Sequence, residues 1–262
     1  GMRLFDGALY SAFVNTTVGV NITNTAPSVP SLSAPSDASS TGDRTPTFSW
    51  VASTDDDGDT ITYQLNTTLI ASSTCTELSR HIIGLSGTSH ALTDELQCFY
   101  DNLDYYNWSL RAYDSTDLSA WTSFFRINIS SEIVISLLNS TVEFGGINFL
   151  ETNDTSDDSP RPFLIQNDGN AFVNITTNAS DLWRKQANPS SFYQFKAANN
   201  SLENGSFNWG LSKTVYTNMP AGGSPILCIA ELNYTNSTDT AEIDINITVP
   251  SDEGDGGRRS FV

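Results

Sequence analysis

Tyr105-Tyr106-Asn107-Trp108-Ser109-Leu110-Arg111-Ala112 is the stretch that decides the fold. Tyr106, Trp108, Leu110 and Ala112 recur at every second position, the period of a strand with one buried face, while Asn107, Ser109 and Arg111 take the other face. Outward from it lie Trp121-Thr122-Ser123-Phe124-Phe125-Arg126-Ile127 on one side and Ile61-Thr62-Tyr63-Gln64-Leu65 on the other. Pro46-Thr47-Phe48-Ser49-Trp50 comes earlier, across a tight acidic turn. Helical periodicity is essentially absent. Clusters of Pro, Gly, Asp and Asn interrupt the alternating runs roughly every ten residues, the spacing of a β-sandwich. The chain is therefore expected to be all-β.

Composition narrows the function classes. The 262 residues allow one large or two ordinary domains. With 12 Lys+Arg against 30 Asp+Glu the formal charge is −18, which repels nucleic acid and anionic membrane and excludes both as partners. Charged residues are nevertheless only 16% of the chain, and aromatics are 11%, so the acidic balance does not signal disorder. The most apolar run, Ile133-Val134-Ile135-Ser136-Leu137-Leu138, is far too short for a membrane span. Met2-Arg3-Leu4-Phe5-Asp6-Gly7 has neither the basic nor the apolar region of a signal peptide, so the start reads as a processing boundary.

Three regions follow from the punctuation. Residues 25–131 form one module, opening on the Pro-rich stretch Ala26-Pro27-Ser28-Val29-Pro30 to Pro35, which reads as an edge strand. Residues 132–262 form a second. In it Thr141-Val142-Glu143-Phe144-Gly145 reads as a strand, and Pro162 to Thr176 as two strands about an Asn-Asp-Gly turn. Pro225 to Leu232 and Ala241 to Val249 read as two more strands. Residues 1–24 align with the end of the first module. Arg3 to Ser11 repeats the spacing of Arg111 to Ser119, and Val20-Asn21-Ile22-Thr23 matches Ile127-Asn128-Ile129-Ser130. They therefore look like the last two strands of a preceding module, a hairpin that is marginal alone. It either folds back on its own chain or is donated to a neighbour, with Leu4, Leu9, Phe13, Val18, Val20 and Ile22 as the donor-strand side chains.

The Pro-rich first strand, Phe48-Ser49-Trp50, and Tyr106-x-Trp108-x-Leu110-Arg111-Ala112-Tyr113-Asp114 together resemble a fibronectin type III module. The Trp-ended strand followed by Asp57-Gly58-Asp59 is also similar to repeats of archaeal surface proteins. The second module resembles sandwich domains of surface-fibre proteins, the camelysin-like and archaeal pilus families among them, through its Phe144-Gly145, Asn167-Asp168-Gly169-Asn170 and Val249-Pro250 punctuation. These resemblances imply two tandem Ig-like β-sandwiches preceded by an N-terminal β-hairpin or donor strand. They further imply a structural subunit of an extracellular filament or surface array, with a second copy of the chain as partner. The alternative is a stalk module of an adhesin that binds carbohydrate or protein. No enzymatic activity is implied.

Fourteen Asn-X-Ser/Thr acceptors support an extracellular location: Asn15, Asn21, Asn66, Asn107, Asn128, Asn139, Asn153, Asn174, Asn178, Asn199, Asn204, Asn233, Asn236 and Asn246. A chain rich in Asn, Ser and Thr makes some of these by chance, but the density implies covalent N-glycans. In Asn174-Ile175-Thr176 and Asn246-Ile247-Thr248 the acceptor shares the outward face with Thr while Ile packs inward.

Other candidates are weaker. Asp55, Asp57 and Asp59 offer oxygens to a hard cation, but the spacing lacks the remaining ligands of a Ca²⁺ loop, and the reading favours weak or no Ca²⁺ binding and no other cofactor. Asn153 to Asp158 and Asp252 to Asp255 are similar and poorer. Cys75 and Cys98 can bridge within the first module, and Cys228 reads as a buried thiol. His81 and His90 stand without a recognisable nucleophile motif and read as surface residues. Trp183, Phe192, Tyr193, Phe207, Trp209 and Tyr216 can form a sugar-stacking platform, although capping a sandwich core is the more ordinary role.

Overall fold

The computed structural model describes residues 23–262. The chain first forms β1 (Ser31–Ala34), β2 (Ser39–Thr41), β3 (Thr47–Val51), β4 (Thr62–Ile70), β5 (Arg80–Leu85), β6 (Ser89–Ala91), β7 (Tyr105–Tyr113) and β8 (Phe125–Ile129). A three-stranded sheet, β1-β3-β6, faces a five-stranded sheet, β2-β8-β7-β4-β5. Only β2 on β8 is parallel in these two sheets.

The spine is the β4–β7 pair, in register from Thr62↔Tyr113 to Ile70↔Tyr105. Alternation puts Tyr63 and Leu65 of β4 and Tyr106, Trp108, Leu110 and Ala112 of β7 inside. Phe48 and Trp50 come down from β3 to meet them. The Phe48 and Trp108 rings lie 4.9 Å apart, and Phe125 meets Trp108 edge-on at 5.9 Å. Truncating Trp108, which is fully buried, costs about 3–5 kcal/mol by the cavity it leaves. The strand expected over residues 121–127 begins only at Phe125. Thr122 still exchanges bonds with Leu110, its N–H reaching the Leu110 carbonyl at 2.9 Å and its Oγ1 accepting the Leu110 N–H at 3.1 Å. Trp121 and Phe124 are exposed; the Arg111 guanidinium lies 4.5 Å from the Trp121 ring centre.

The remaining strands are β9 (Ile135–Asn139), β10 (Thr152–Asp154), β11 (Phe163–Asn167), β12 (Val173–Thr177), β13 (Tyr193–Asn199), β14 (Thr217–Asn218), β15 (Ile226–Leu232) and β16 (Thr240–Thr248). Six of them share one sheet, ordered β14-β13-β16-β11-β9 with β10 also on β16, whereas the facing sheet is only β12-β15. The centre is β16, paired with β13 on one side and with β10 and β11 in succession on the other. Its inward Ile243, Ile245 and Ile247 pack with Tyr193, Phe195 and Ile229.

Two expectations for this half are corrected. Thr141 to Gly145 is not a strand: Val142 and Phe144 turn into the core, but the segment makes no ladder with either sheet. Pro162 to Thr176 does hold the two expected strands about its turn, but they do not pair as a hairpin, because β11 and β12 belong to opposite sheets. The Asn-Asp-Gly turn is a corner between layers. The buried Asn167 amide donates to the Ala171 and Leu232 carbonyls at 2.9 and 3.0 Å, tying one sheet to the other. Gly169 is required there, since a Cβ would stand 2.2 Å from the Glu132 carbonyl oxygen.

Candidate functional site

Neighbouring side chains join the two sandwiches at one end of each. Arg44, 7% exposed, follows β2 and points across the junction. Its Nε donates to the Leu96 carbonyl at 3.0 Å, Nη1 to the Asn170 carbonyl at 3.1 Å, and Nη2 to Gln97 Oε1 at 3.0 Å. Nη1 also reaches the Tyr234 hydroxyl and lies 3.2 Å from Glu95. Tyr234 in turn donates to Glu95 at 2.7 Å, and its ring takes Arg44 on one side and Phe172 edge-on. Asn170 completes the clasp, its amide donating to the carbonyls of Gly42 and Ser130 at 2.6 and 3.0 Å. Leu96, Gln97 and Gly42 belong to the first sandwich, and Asn170, Phe172 and Tyr234 to the second. A planar fork of five donors suits this task, and an ammonium does not.

The opposite end of the first sandwich is where the described chain enters. Asn24 donates to Asp114 and Asp117 at 2.9 Å each, and the Thr25 N–H donates to Asp57 at 2.6 Å. Asp114 also accepts the N–H groups of Thr116 and Asp117, both at 2.7 Å; these backbone bonds and the Asn24 amide hold its carboxyl below the usual range. Between this end and the clasp runs the nine-residue β7, about 30 Å at the rise of a strand.

The second sandwich is open along one side. A two-stranded layer cannot cover the face of a six-stranded one, and the part beyond β12 lies over a cavity of about 1260 Å³. Its floor is Ile165, Ile243, Ile245 and Ile247, and its walls are Ile135 and Leu137 of β9 and Ile175 of β12. Residues 140–149 and 253–262 lie across its mouth. The floor is not bare: Ile165, Ile243, Ile245 and Ile247 are buried, and Val142, Phe144 and Ile147 pack over them, so loop rather than strand closes this side of the sandwich. No residue of β15 lines it, so it adjoins the edge of β12 that β15 does not occupy. Among the described residues that edge has no strand partner, and neither has the outer edge of β9. Ile135, Leu137 and Leu138 of β9 are all exposed, Leu137 by 58%.

The tail is anchored at one end of this opening. Glu253 is buried against Arg258, which approaches at 2.8 Å through Nε, and accepts the Arg184 N–H at 3.0 Å. Burial raises its pKa, but the bonds from Arg258, Lys185 and Arg184 outweigh this and hold the carboxyl below the usual range. Within the Asp252 to Asp255 cluster, one of the poorer acidic candidates in the sequence, Glu253 is an internal ion-pair partner. Beyond it, the Ser180 N–H donates to the Phe261 carbonyl at 3.0 Å, just past the end of β12.

The other sequence candidates are dispersed. Leu4, Leu9, Phe13, Val18, Val20 and Ile22, with Asn15 and Asn21, lie outside the described residues. Asp55, Asp57 and Asp59 do converge, with a carboxylate oxygen from each within 4.8 Å of the others. Asp55 Oδ1, however, is occupied by the N–H groups of Asp57 and Asp59 at 2.9 and 3.2 Å, which closes the turn. Cys75 and Cys98 are joined in a disulfide, Cα to Cα 5.9 Å. Asp104 supports that loop by accepting the Ser72 and Ser73 N–H groups at 2.7 and 3.0 Å. Cys228 is fully buried, and burial pushes its thiol up to about 12. His81 is exposed beside Gln64, and His90 sits half-buried in β6. Trp183, Tyr193 and Phe207 enter the core, with the Trp183 indole donating to the Phe192 carbonyl at 3.0 Å. Trp209 is 52% exposed and stacks on Phe207 at 5.7 Å.

The acceptor asparagines divide by position. Asn174, Asn204 and Asn236 are exposed. Asn66, Asn107, Asn139, Asn153, Asn178, Asn199, Asn233 and Asn246 are half-buried, and Asn128 is 5% exposed with its amide donating to Ser40 at 3.2 Å. Asn139 spends its amide on the Pro162 carbonyl at 2.6 Å, and Asn233 on Thr238 at 2.8 Å.

The chain is an all-β protein of two β-sandwiches clasped end to end, with an apolar cavity on one side of the second. No family profile matches it, and no curated protein matches it in sequence. Among solved structures it aligns with the FN1–FN3 domains of chicken CNTN1 at 10% identity and a TM-score of 0.29, over 91% of this chain and 67% of that one. A likeness this loose adds nothing to the reading of the site. No helix among the described residues is long and apolar enough to cross a membrane.

Proposed function

We propose that the protein is a structural, non-catalytic subunit of an extracellular, N-glycosylated filament or surface array, built by β-strand addition between copies. The observation that carries this reading is the layout of the ends. The N-terminal segment leaves the first sandwich beside Asp57, Asp114 and Asp117, while the clasp at Arg44 fixes the second sandwich to the opposite end. A stiff unit that the chain enters at one end, with another sandwich at the other, suits head-to-tail repetition, in which the interface is heterologous and need not close. Exposed acceptors at Asn174, Asn204 and Asn236 suit a glycan coat, and the charge of −18 suits a surface that stays dispersed.

Size-exclusion chromatography and electron microscopy of the chain with and without residues 1–22 test it. The full chain is expected to form concentration-dependent oligomers or filaments and the shortened chain only monomers. Identical monomeric profiles overturn the proposal.

A stalk module that displays loops to a carbohydrate is the second reading, favoured by the exposed Trp209 stacked on Phe207. Glycan binding by the monomer, lost on Trp209→Ala, would support it.

A further inference from the structure

The disulfide stands against the clasp, since Cys98 directly follows Gln97, one of the side chains that Arg44 grips. We infer that the Cys75–Cys98 bond is a redox-sensitive latch on the junction: oxidised, it holds the two sandwiches in one relation, and reduced, it lets them swing.

The first sandwich's half of the clasp has no ladder of its own. Residues 92–98 belong to no strand, yet they bring Glu95, the Leu96 carbonyl and Gln97 to Arg44. Part of their support is internal: the Leu96 N–H donates to the Arg44 carbonyl at 2.8 Å, and the Cys98 N–H to the Tyr106 hydroxyl at 2.9 Å. The rest comes from the other end of the disulfide. Glu77 accepts the Gln97 N–H at 2.9 Å and also takes the Tyr106 hydroxyl and Arg80. Arg80 reaches the Asp94 carbonyl and, at 2.5 Å, the Glu95 carbonyl. Burial first, and then the Glu77 carboxylate, raise the Tyr106 pKa, so its hydroxyl stays a donor to Glu77.

The bond decides where Glu77 sits. Residues 71–79 belong to no strand, and Leu78 is 90% exposed. Asp104 fixes this loop at Ser72 and Ser73, and β5 resumes at Arg80. Among the described residues, no main-chain group from Thr76 to Ser79 is hydrogen-bonded. Glu77 is therefore held through Cys75, two residues before it. The sulfurs close a small ring around the Glu77–Gln97 bond, which keeps its two ends at high effective concentration. Once the ring opens, the loop regains its freedom and Gln97 loses this tie. Arg80 stays in β5, but Arg44 then keeps only the Leu96 carbonyl firmly on this side, and a single acceptor does not fix the angle of a fork.

Reduction enters at Cys75, which is half-buried, because Cys98 is 1% exposed. A thiolate of an external dithiol attacks the Cys75 sulfur, and Cys98 leaves as a thiolate. The second sulfur of the dithiol then displaces Cys75, so the protein gains two electrons and two protons while the dithiol is oxidised to its own disulfide. An oxidising compartment thus stiffens the junction. On the structural-subunit reading above, the chain acquires a fixed relation between its two ends only there.

Single-molecule energy transfer on the full chain tests the latch, with dyes carried by azidophenylalanine in place of the exposed Thr116 and Ala187, one in each sandwich, so that the cysteines are untouched. The oxidised chain is expected to give one narrow distribution, and dithiothreitol to at least double its width, reversibly on reoxidation. Cys75→Ser with Cys98→Ser should match the reduced chain and ignore dithiothreitol. Glu77→Gln should widen the distribution in the oxidised chain without any reductant, because the latch acts through that carboxylate. An unchanged width, with alkylation and mass measurement showing Cys75 and Cys98 both free, overturns the inference. So does a widening that comes only with loss of the buried-tryptophan emission of Trp50 and Trp108, since the bond then holds the sandwich and not the junction. The readout is on single chains, so a failure of filament assembly leaves it untouched.

Discussion

Replacing Arg44 with alanine uncouples the two sandwiches. The guanidinium is 7% exposed and serves acceptors on both sides of the junction: the Leu96 carbonyl and Gln97 on one side, the Asn170 carbonyl and Tyr234 on the other. Hydrogen bonds to a charged donor contribute about 1.5–3 kcal/mol each, and an orphaned buried acceptor costs about 1–3 kcal/mol. These terms overlap, because one side chain makes them all. Glu95 is 38% exposed, so its ion pair is discounted to the level of a surface pair, at most about 1 kcal/mol. The net loss for Arg44→Ala is then about 3–4 kcal/mol, within the range for removing one partner of a buried charged network. Urea unfolding followed by tryptophan fluorescence measures it, since Trp50 and Trp108 report the first sandwich and Trp183 the second. The parent is expected to unfold with the sandwiches coupled, and the variant in two separated transitions. Small-angle scattering should show a broader distribution of inter-sandwich distances in the variant. Arg44→Lys should restore little, because an ammonium cannot fork to carbonyls on opposite sides. A loss below about 1 kcal/mol with unchanged scattering would refute the clasp, since that is what an ordinary surface arginine gives.

Three further outcomes are expected. Replacing both Cys75 and Cys98 with alanine should cost the first sandwich about 3 kcal/mol in urea, given the sequence separation of 23, and a loss under about 1 kcal/mol would mean the loop is already ordered without the bond. Glu242 is raised to about 7 by burial first and then by Asp158 and Asp244; its folded form binds a proton more tightly than the unfolded chain does. Stability of the second sandwich should therefore fall as pH rises from about 4.5 to 7, and Glu242→Gln should flatten that slope; an equal slope in both would count against it. Glycopeptide mapping of material from a glycosylating host should find Asn174, Asn204 and Asn236 occupied and Asn128 bare, because a glycan there must displace the bond to Ser40 beneath β2. Full occupancy of Asn128 in a chain that still folds would contradict its position.

The first sandwich was readable because each strand carries its own signal. Tyr106, Trp108, Leu110 and Ala112 alternate cleanly, and both layers are wide enough that alternation means burial. The second sandwich lacks that symmetry. Its Asn-Asp-Gly run looks like a hairpin turn, and only the Asn167 amide, bonded to Ala171 and Leu232, shows it to be a corner between layers. Val142 and Phe144 alternate as a strand would, yet they lie across an opening rather than in a ladder. The groove itself is a mismatch between sheet widths, which no local pattern encodes. Arg44 was missed for a different reason: its partners are 51 to 190 positions away. One clue was present, since Arg44 is the only cation between Arg3 and Arg80 in a chain with few of them.

The position of β16 has a consequence for how the chain is made. Every other strand of the large sheet except β9 and β14 pairs directly with this last one, whose residues are 240–248. During synthesis the first sandwich can close its two sheets as soon as Ile129 has emerged, with its strand partners all behind it. The second must wait for nearly the whole chain, holding β10, β11 and β13 without their common partner. The last 130 or so residues thus remain an open chain for longer, and the amides of Asn139 through Asn236 stay accessible until the closing strand has been made.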